Sequence, residues 1–437
     1  MSPSYRRVLA LAVPALGALV AEPVFIMVDT AIVGRLGTTP LAGLSLAGAI
    51  LGTTVYLCVF LTYATTAAVA QAFGAGRLDD AARRGTDVLW LAFGLGTGLA
   101  IALWAAARPL AALFGPDSAV LDQAVTYLRW SALGLPAMLV VLAATGVLRG
   151  LHNTKVTLRV AMAGGIVNAI GSLVLCYPAG LGIMGAALGT VLGQTVMALW
   201  AGGLVVAFAR RQSVGLRPRW SGLGRVARSG VPLFLRTCAL RACAMVALWV
   251  ATGLGAAELA AQQVVTNIWS FSALAIDALA VAAQALVGSA IGAGDPTGLA
   301  DVKRAVMRLS VFTGVALGAV FAALAWVWPW AFSDDPLVHR AAAIGLLVMA
   351  LCMPLGAWAF ALDGILMGAG DFVFLAKGMG VALLCYLPAA LAIRLWAHGP
   401  GGIGWLWLAY AGLLMAARGL FYRKRAHAAG PAERVDA

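Results

Sequence analysis

Gly74-Ala75-Gly76 returns as Gly292-Ala293-Gly294, 218 residues further along the chain. The same offset carries Pro14 to Pro232, Gly37 to Gly255, Leu41-Ala42 to Leu259-Ala260 and Ala82 to Ala300. It continues through Phe114 and Phe332, Asp117 and Asp335, Pro136 and Pro354, and Gly150 and Gly368. Glycine and proline punctuate backbone, so a register that holds from Pro14 to Gly150 without an insertion marks a duplicated structural unit. Almost all of that unit is apolar. A duplicated hydrophobic bundle is the sequence signature of a secondary transporter, with its site between the repeats.

Composition excludes a water-soluble globule. The chain is 62% hydrophobic and 11% charged, with mean hydropathy +0.94. Soluble domains are about 45–50% apolar and about 25% charged. The apolar runs are too long for barrel strands, which need only about ten alternating residues. The 52 glycines suit helices that pack closely in lipid. The fold class expected is therefore an all-α integral membrane protein. A formal charge of +13 does not point to nucleic acid here. Lysine and arginine gather in alternate loops, among them Arg77 to Arg84, Arg149 to Arg159, Arg210 to Arg228, Lys303 to Arg308 and Arg418 to Arg425. That asymmetry follows the positive-inside rule and assigns both termini to the cytoplasm. The six cysteines lie in apolar segments with no CxxC pair, so neither a disulfide framework nor a metal site is expected. His152 and His398 read as solvated loop residues. Val8–Val33 carries Glu22 and Asp29 and is too long for a signal-peptide core, so it reads as the first span.

Spans of about twenty apolar residues can be placed twelve times. Six fall near 8–33, 42–72, 86–107, 121–148, 156–177 and 182–209, and six near 229–251, 258–290, 304–328, 340–366, 373–396 and 401–422. Residues 1–209 and 229–422 thus form two six-helix bundles. An even number of spans per repeat gives both the same orientation, with a pseudo-two-fold axis along the membrane normal. Residues 210–228 are expected to be a basic cytoplasmic linker on anionic headgroups. Residues 423–437 are expected to be a disordered cytoplasmic tail. Neither Gly-Ala-Gly loop is followed by Lys-Ser/Thr, so ATP is not the energy source within this polypeptide.

Ionisable groups at membrane depth are costly and mark candidate functional positions. Glu22 and Asp29 are two helical turns apart and share a face of the first helix. Pro14 and Pro23 loosen that helix, so a proton exchanged at either acid could alter its bend. Glu22 could instead be solvated near the outer leaflet, and Asp29 could cap a backbone break. Asn168 with Ser172, and Thr190 with Gln194, form i, i+4 pairs on the fifth and sixth helices. They could complete a polar pocket with Asp29 or simply bond between helices. The second repeat carries Arg236, Arg241, Asp277, Gln284 and Asp363. Ion pairs of the arginines with Asp277 and Asp363 are one reading, and a gate or second coupling site is the other. Trp326, Trp328 and Trp330 fit an interfacial belt.

Val28-Asp29-Thr30-Ala31-Ile32-Val33-Gly34-Arg35-Leu36-Gly37, followed by Leu41-Ala42-Gly43, resembles the first-helix signature of multidrug and toxic compound extrusion (MATE) transporters. Gly185-Ala186-Ala187-Leu188-Gly189-Thr190, with Asn168 before it, resembles that family too. Arg236-Thr237 and Leu362-Asp363-Gly364-Ile365-Leu366-Met367-Gly368-Ala369 are similar to the DinF-like branch. The resemblance covers about residues 8–422. It implies an antiporter, not an enzyme, that expels organic and often cationic, amphipathic compounds by alternating access. Export would be driven by entering protons or sodium ions, with no cofactor. Asp29 aligns with the coupling acid of that branch, and Asn168 and Thr190 with its partners. Many relatives carry a second acid where this chain has Ser172, which favours protons over sodium. The expected partners are small organic molecules, protons and membrane lipid, with the chain a monomer in a bacterial cytoplasmic membrane. A flippase for a lipid-linked intermediate is the alternative.

Overall fold

The computed structural model describes residues 3–397 and 399–428. His398 and the end of the expected tail, residues 429–437, lie outside them. Packing divides the chain into two compact units, Gly17–Phe234 and residues 3–16 with 235–428. Both cuts fall inside helices, two residues after the repeat-related Pro14 and Pro232.

The first unit takes α1 (Pro3–Gly34) from Gly17 onward, then α2 (Thr38–Leu57), α3 (Phe60–Gly74), α4 (Leu78–Ala112), α5 (Ser118–Ala132), α6 (Leu135–Gly150), α7 (Thr154–Cys176) and α8 (Ile183–Arg211). It ends in the first turns of α9 (Trp220–Leu254). The second unit takes the rest of α9, then α10 (Ala256–Gly292), α11 (Pro296–Leu324), α12 (Pro336–Ala369), α13 (Phe372–Trp396), α14 (Gly401–Trp407) and α15 (Leu414–Ala428). One π-helical turn, Leu408–Leu413, joins α14 to α15. Among the described residues eleven spans are long and apolar enough to cross a membrane, and the bent pair α5–α6, taken as one span, makes a twelfth.

The duplication is structural. Helices begin at Thr38 and Ala256, Leu78 and Pro296, Ser118 and Pro336, Thr154 and Phe372, and Ile183 and Gly401, each pair at the 218-residue offset. Close approaches repeat as well. A Cβ at Gly96 would meet Pro136 Cα at 2.6 Å, and one at Gly314 would meet Pro354 Cα at 2.9 Å. A Cβ at Gly146 would stand 2.7 Å from Thr62 O, and one at Gly364 would stand 2.6 Å from Ala280 O. Backbone-to-backbone contact of this kind needs residues without side chains. Gly76 and Gly294 both take positive φ, at 71° and 65°, where only glycine turns without strain.

Several boundaries differ from the sequence expectation. The second span is broken at Cys58-Val59, just after Thr53 and Thr54 turn their hydroxyls back onto the carbonyls of Ala49 and Ile50. Back-bonding of this kind competes with the helical ladder. The fourth span bends by 53° between α5 and α6. Gly134 weakens the helix there, and Pro136 in the first turn of α6 supplies no backbone donor. In the second repeat α12 runs straight through Pro354, with Cys352 where Gly134 stands. The basic linker shrinks to residues 212–219, because α8 continues to Arg211 and α9 begins at Trp220. Arginines suit a helix C-terminus, where they face the negative end of the dipole. The linker is also pinned: Trp90 Nε1 donates to Leu216 O at 2.8 Å, and Val214 is buried beside Ala82 and Ala209. The tail is helical to Ala428, held by Tyr422 on Leu375 O, by Lys303 on Ala426 O and by Arg425 on Asp371. Arg149, expected in a basic loop, is buried in the last turn of α6. His152 packs edge-on against Phe73. Trp326 and Trp330 are exposed, as an interfacial belt requires, while Trp328 turns partly inward.

Candidate functional site

Glycines bring α7 and α8 together. Gly185, Gly189 and Gly193 repeat every fourth residue along one face of α8. A Cβ at Gly185 would stand 2.5 Å from Leu175 C. One at Gly189 would stand 2.4 Å from Ser172 N, and one at Gly193 2.6 Å from Gly164 O. The same contact sets Asn168 and Ser172, one turn apart on α7, against Asp29 of α1. Tyr177 at the end of α7 donates to Ile32 O at 2.7 Å, which fixes the last turns of α1 beside them.

Asp29 is 9% exposed and accepts from neutral donors. Asn168 Nδ2 donates to its Oδ2 at 2.8 Å, and Ser172 Oγ lies 3.1 Å from its Oδ1. Thr190 of α8 is a third hydrogen-bond partner of the carboxylate, and its hydroxyl also lies 3.1 Å from Ala186 O. The Ser172 hydroxyl has one hydrogen and three acceptors around it: Asp29, Asn168 Oδ1 at 3.1 Å and Ala186 O at 3.4 Å. It can therefore follow the charge on Asp29. No cation takes part in these bonds.

Sequence reasoning missed Tyr127. This α5 residue is buried, stands beside Thr190, and lies close enough to Asp29 to feel its charge. Nothing in the sequence singled it out, because it lies six residues into the expected span that starts near 121, where membrane tyrosines usually mark the interface. Gln194 does not join the network. Its Oε1 fills the bend at Gly134, where a Cβ would stand 2.1 Å away. Glu22 is exposed on α1 and makes none of the bonds around Asp29. Pro14 and Pro23 lie inside α1, which remains one helix.

The second unit holds a different cluster. Arg236 Nη2 of α9 lies 2.8 Å from Asp363 Oδ2 of α12, and both side chains are buried. Arg418 of α15 pairs with the same oxygen. This corrects the placing of Arg418 in a cytoplasmic basic cluster, since α15 carries it 1% exposed beneath Phe360. Asp277 and Gln284 of α10, and Arg241 of α9, are also partnered, and Gln284 is buried.

The MatE family profile matches residues 14–174 and again 232–392, two stretches at the same 218-residue offset. Protein DETOXIFICATION 44, chloroplastic, of Arabidopsis thaliana is 32% identical over 85% of this chain and 73% of its own length. DNA damage-inducible protein F of Escherichia coli (strain K12) is 28% identical over 94% of this chain and 89% of its own. A solved MOP superfamily transporter from Pyrococcus furiosus superposes with TM-score 0.87 at 19% identity, covering 98% of this chain and 97% of that one. Such transporters have twelve membrane helices in two bundles. The chain is a multi-pass membrane protein of the MatE family, the multidrug and toxic compound extrusion transporters, with DinF-like proteins among its relatives.

Proposed function

We propose that this chain is a proton-coupled antiporter that exports organic compounds by alternating access, with Asp29 as the proton-carrying group. The observation that carries this reading is one buried carboxylate held only by neutral hydrogen-bonding side chains from α7 and α8. As a carboxylate it can only accept, and it draws the Asn168 amide and the Ser172 and Thr190 hydroxyls toward it. Protonated, it becomes a donor itself and holds these donors less strongly. Ser172 is then released toward Ala186 O or Asn168 Oδ1. Loading one proton thus rewrites the bonds between α1, α7 and α8. A sodium ion would seek several oxygen ligands with carboxylates among them, and Ser172 stands where a second acid would serve. The positive-inside distribution supports cytoplasmic termini, and under an inward proton gradient protons would enter as substrate leaves.

The test is efflux of ethidium from proteoliposomes under an imposed pH gradient, with and without sodium, for wild type and Asp29→Asn. Gradient-driven efflux lost in Asp29→Asn supports the reading. Efflux that persists in that variant makes Asp29 structural. Failure of wild type to move organic cations under either gradient favours a lipid substrate instead.

A further inference from the structure

The two units bury opposite electrostatics. In the first, a carboxylate is surrounded by neutral dipoles. In the second, a carboxylate is flanked by two guanidinium groups, each from a different helix. Arg236 Nη2 stands 2.8 Å from Asp363 Oδ2, and Arg418 engages the same oxygen. The Arg418 guanidinium also covers the Phe360 ring at 5.0 Å, one turn before Asp363, and reaches Met415 Sδ at 3.8 Å. The thiol of Cys243 on α9 faces Arg418 as well. Arg241 and Asp277, the other charged side chains in α9 and α10 at membrane depth, are partnered.

Arginine stays charged under all physiological conditions. A proton added to Asp363 would therefore leave two bare guanidiniums together in an apolar interior, which is strongly unfavourable. A metal cation arriving there would add a third positive charge. The repeat sharpens the contrast. At the 218-residue offset Asp363, Arg236 and Arg418 fall on Thr145, Ala18 and Trp200, none of them charged. Asp29, Asn168 and Thr190 fall on Ala247, Tyr386 and Leu408. Tyr386 is fully buried against the Tyr410 ring, so its unit has a packed core where the first has a polar site.

We propose that Asp363 is a permanently ionised counter-ion that fastens α9, α12 and α15, and that the second unit exchanges no proton and takes no coupling cation. Transport coupling then falls to Asp29 alone. This rests on the proton-coupled reading above for its functional half and on the ion cluster alone for its structural half.

The full-length chain tests both halves. Thermal unfolding in detergent is measured for wild type, Asp363→Asn, Arg418→Met and the charge-free triple variant R236M/D363N/R418M. Asp363→Asn should lose roughly 10 °C, because it strands two buried cations. The triple variant should recover most of that loss, because a buried ion cluster replaced by groups of similar size leaves no charge to compensate. Proton release on ethidium addition in weak buffer, and the pH profile of efflux, are then read for wild type, Arg418→Met and the triple variant. Arg418→Met retains a one-to-one pair and should fold whatever the triple variant does. Both should release as many protons as wild type and keep its pH profile. A folded Arg418→Met or triple variant with fewer protons released or a shifted profile overturns the proposal, since Asp363 would then be exchanging protons. An Asp363→Asn chain as stable as wild type overturns the counter-ion role. A wild type that releases no protons removes the coupling reading of Asp29, while the unfolding series still decides the role of Asp363.

Discussion

Asp29 takes its hydrogen bonds from an amide and two hydroxyls, and the identity of one of them sets what the site can hold. Ser172 Oγ is 3.1 Å from Asp29 Oδ1, so an aspartate at that position would place two carboxylates in contact, with the Asn168 and Thr190 oxygens beside them. That set resembles the oxygen-rich cradle a hard cation requires. Ser172→Asp should therefore gain efflux driven by a sodium gradient, measured in liposomes without a pH difference. A folded variant indifferent to sodium would show that Ser172 does not decide ion choice. Asp29, Asn168 and Thr190 were legible in the sequence because polar groups at membrane depth stand out against apolar neighbours. Ser172 was legible as a position, although interhelical bonding alone would explain its residue type. Tyr127 was not, because aromatic residues are abundant in spans and only its burial beside Thr190 distinguishes it. Arg418 was misread for a related reason. It opens a run of basic residues that looks like a cytoplasmic end, and only the continuation of α15 to Ala428 carries it into the interior.

At the scale of helices, the site depends on how closely α7 and α8 approach. A methyl group at Gly189 would press on Ser172 N at 2.4 Å and Ser172 Cα at 2.7 Å, which are backbone atoms that cannot turn aside. Overpacking of this kind costs about 1–3 kcal/mol. Gly189→Ala should lower the thermal midpoint and weaken gradient-driven efflux, while Gly203→Ala on the same helix, with open space around it, should change neither. Equal behaviour of the two variants would show that helix spacing does not govern the site. Helix ends offer a second test. Asp295 caps α11 through Gly298 N at 2.9 Å, whereas Arg77 at the equivalent place before α4 makes no side-chain cap. The Gly298 amide first, and then the Thr297 hydroxyl, hold the Asp295 carboxyl below its usual range. A carboxyl so depressed stabilises the fold above its unfolded pKa of about 3.9 and loses that effect as pH falls through the folded value. The midpoint difference between wild type and Asp295→Ala should thus be full at pH 6 and shrink as pH falls below about 3.9. A gap that stays constant with pH would assign the effect to something other than the charge. The breaks at Cys58-Val59 and at Gly134 were illegible, because hydropathy runs unbroken across both and the causes are back-bonded threonines and one glycine.

For the molecule as a whole, the duplication could be read from glycine and proline spacing, and five pairs of helix starts keep that register. The register also shows that the buried charged positions of the two repeats do not match, but not what surrounds each acid. Only the packing shows a neutral-lined acid in one unit and a cation-flanked acid in the other. The connections between helices carry the signal for which face of the molecule meets the cytoplasm. Alternate connections carry most of the lysine and arginine, and the positive-inside rule predicts Arg77 and Arg217 in the cytoplasm, with Asp117 and Asp334 outside. Single cysteines at these four exposed positions, in a chain freed of its six native cysteines, would report the arrangement. A membrane-impermeant maleimide should label Asp117→Cys and Asp334→Cys in intact cells, and Arg77→Cys and Arg217→Cys only after permeabilisation. Labelling in the opposite sense would reverse the chain in the membrane. The direction of ethidium movement would not reverse with it, because obligatory exchange drives substrate against the proton flux whichever face the protein turns to the cytoplasm.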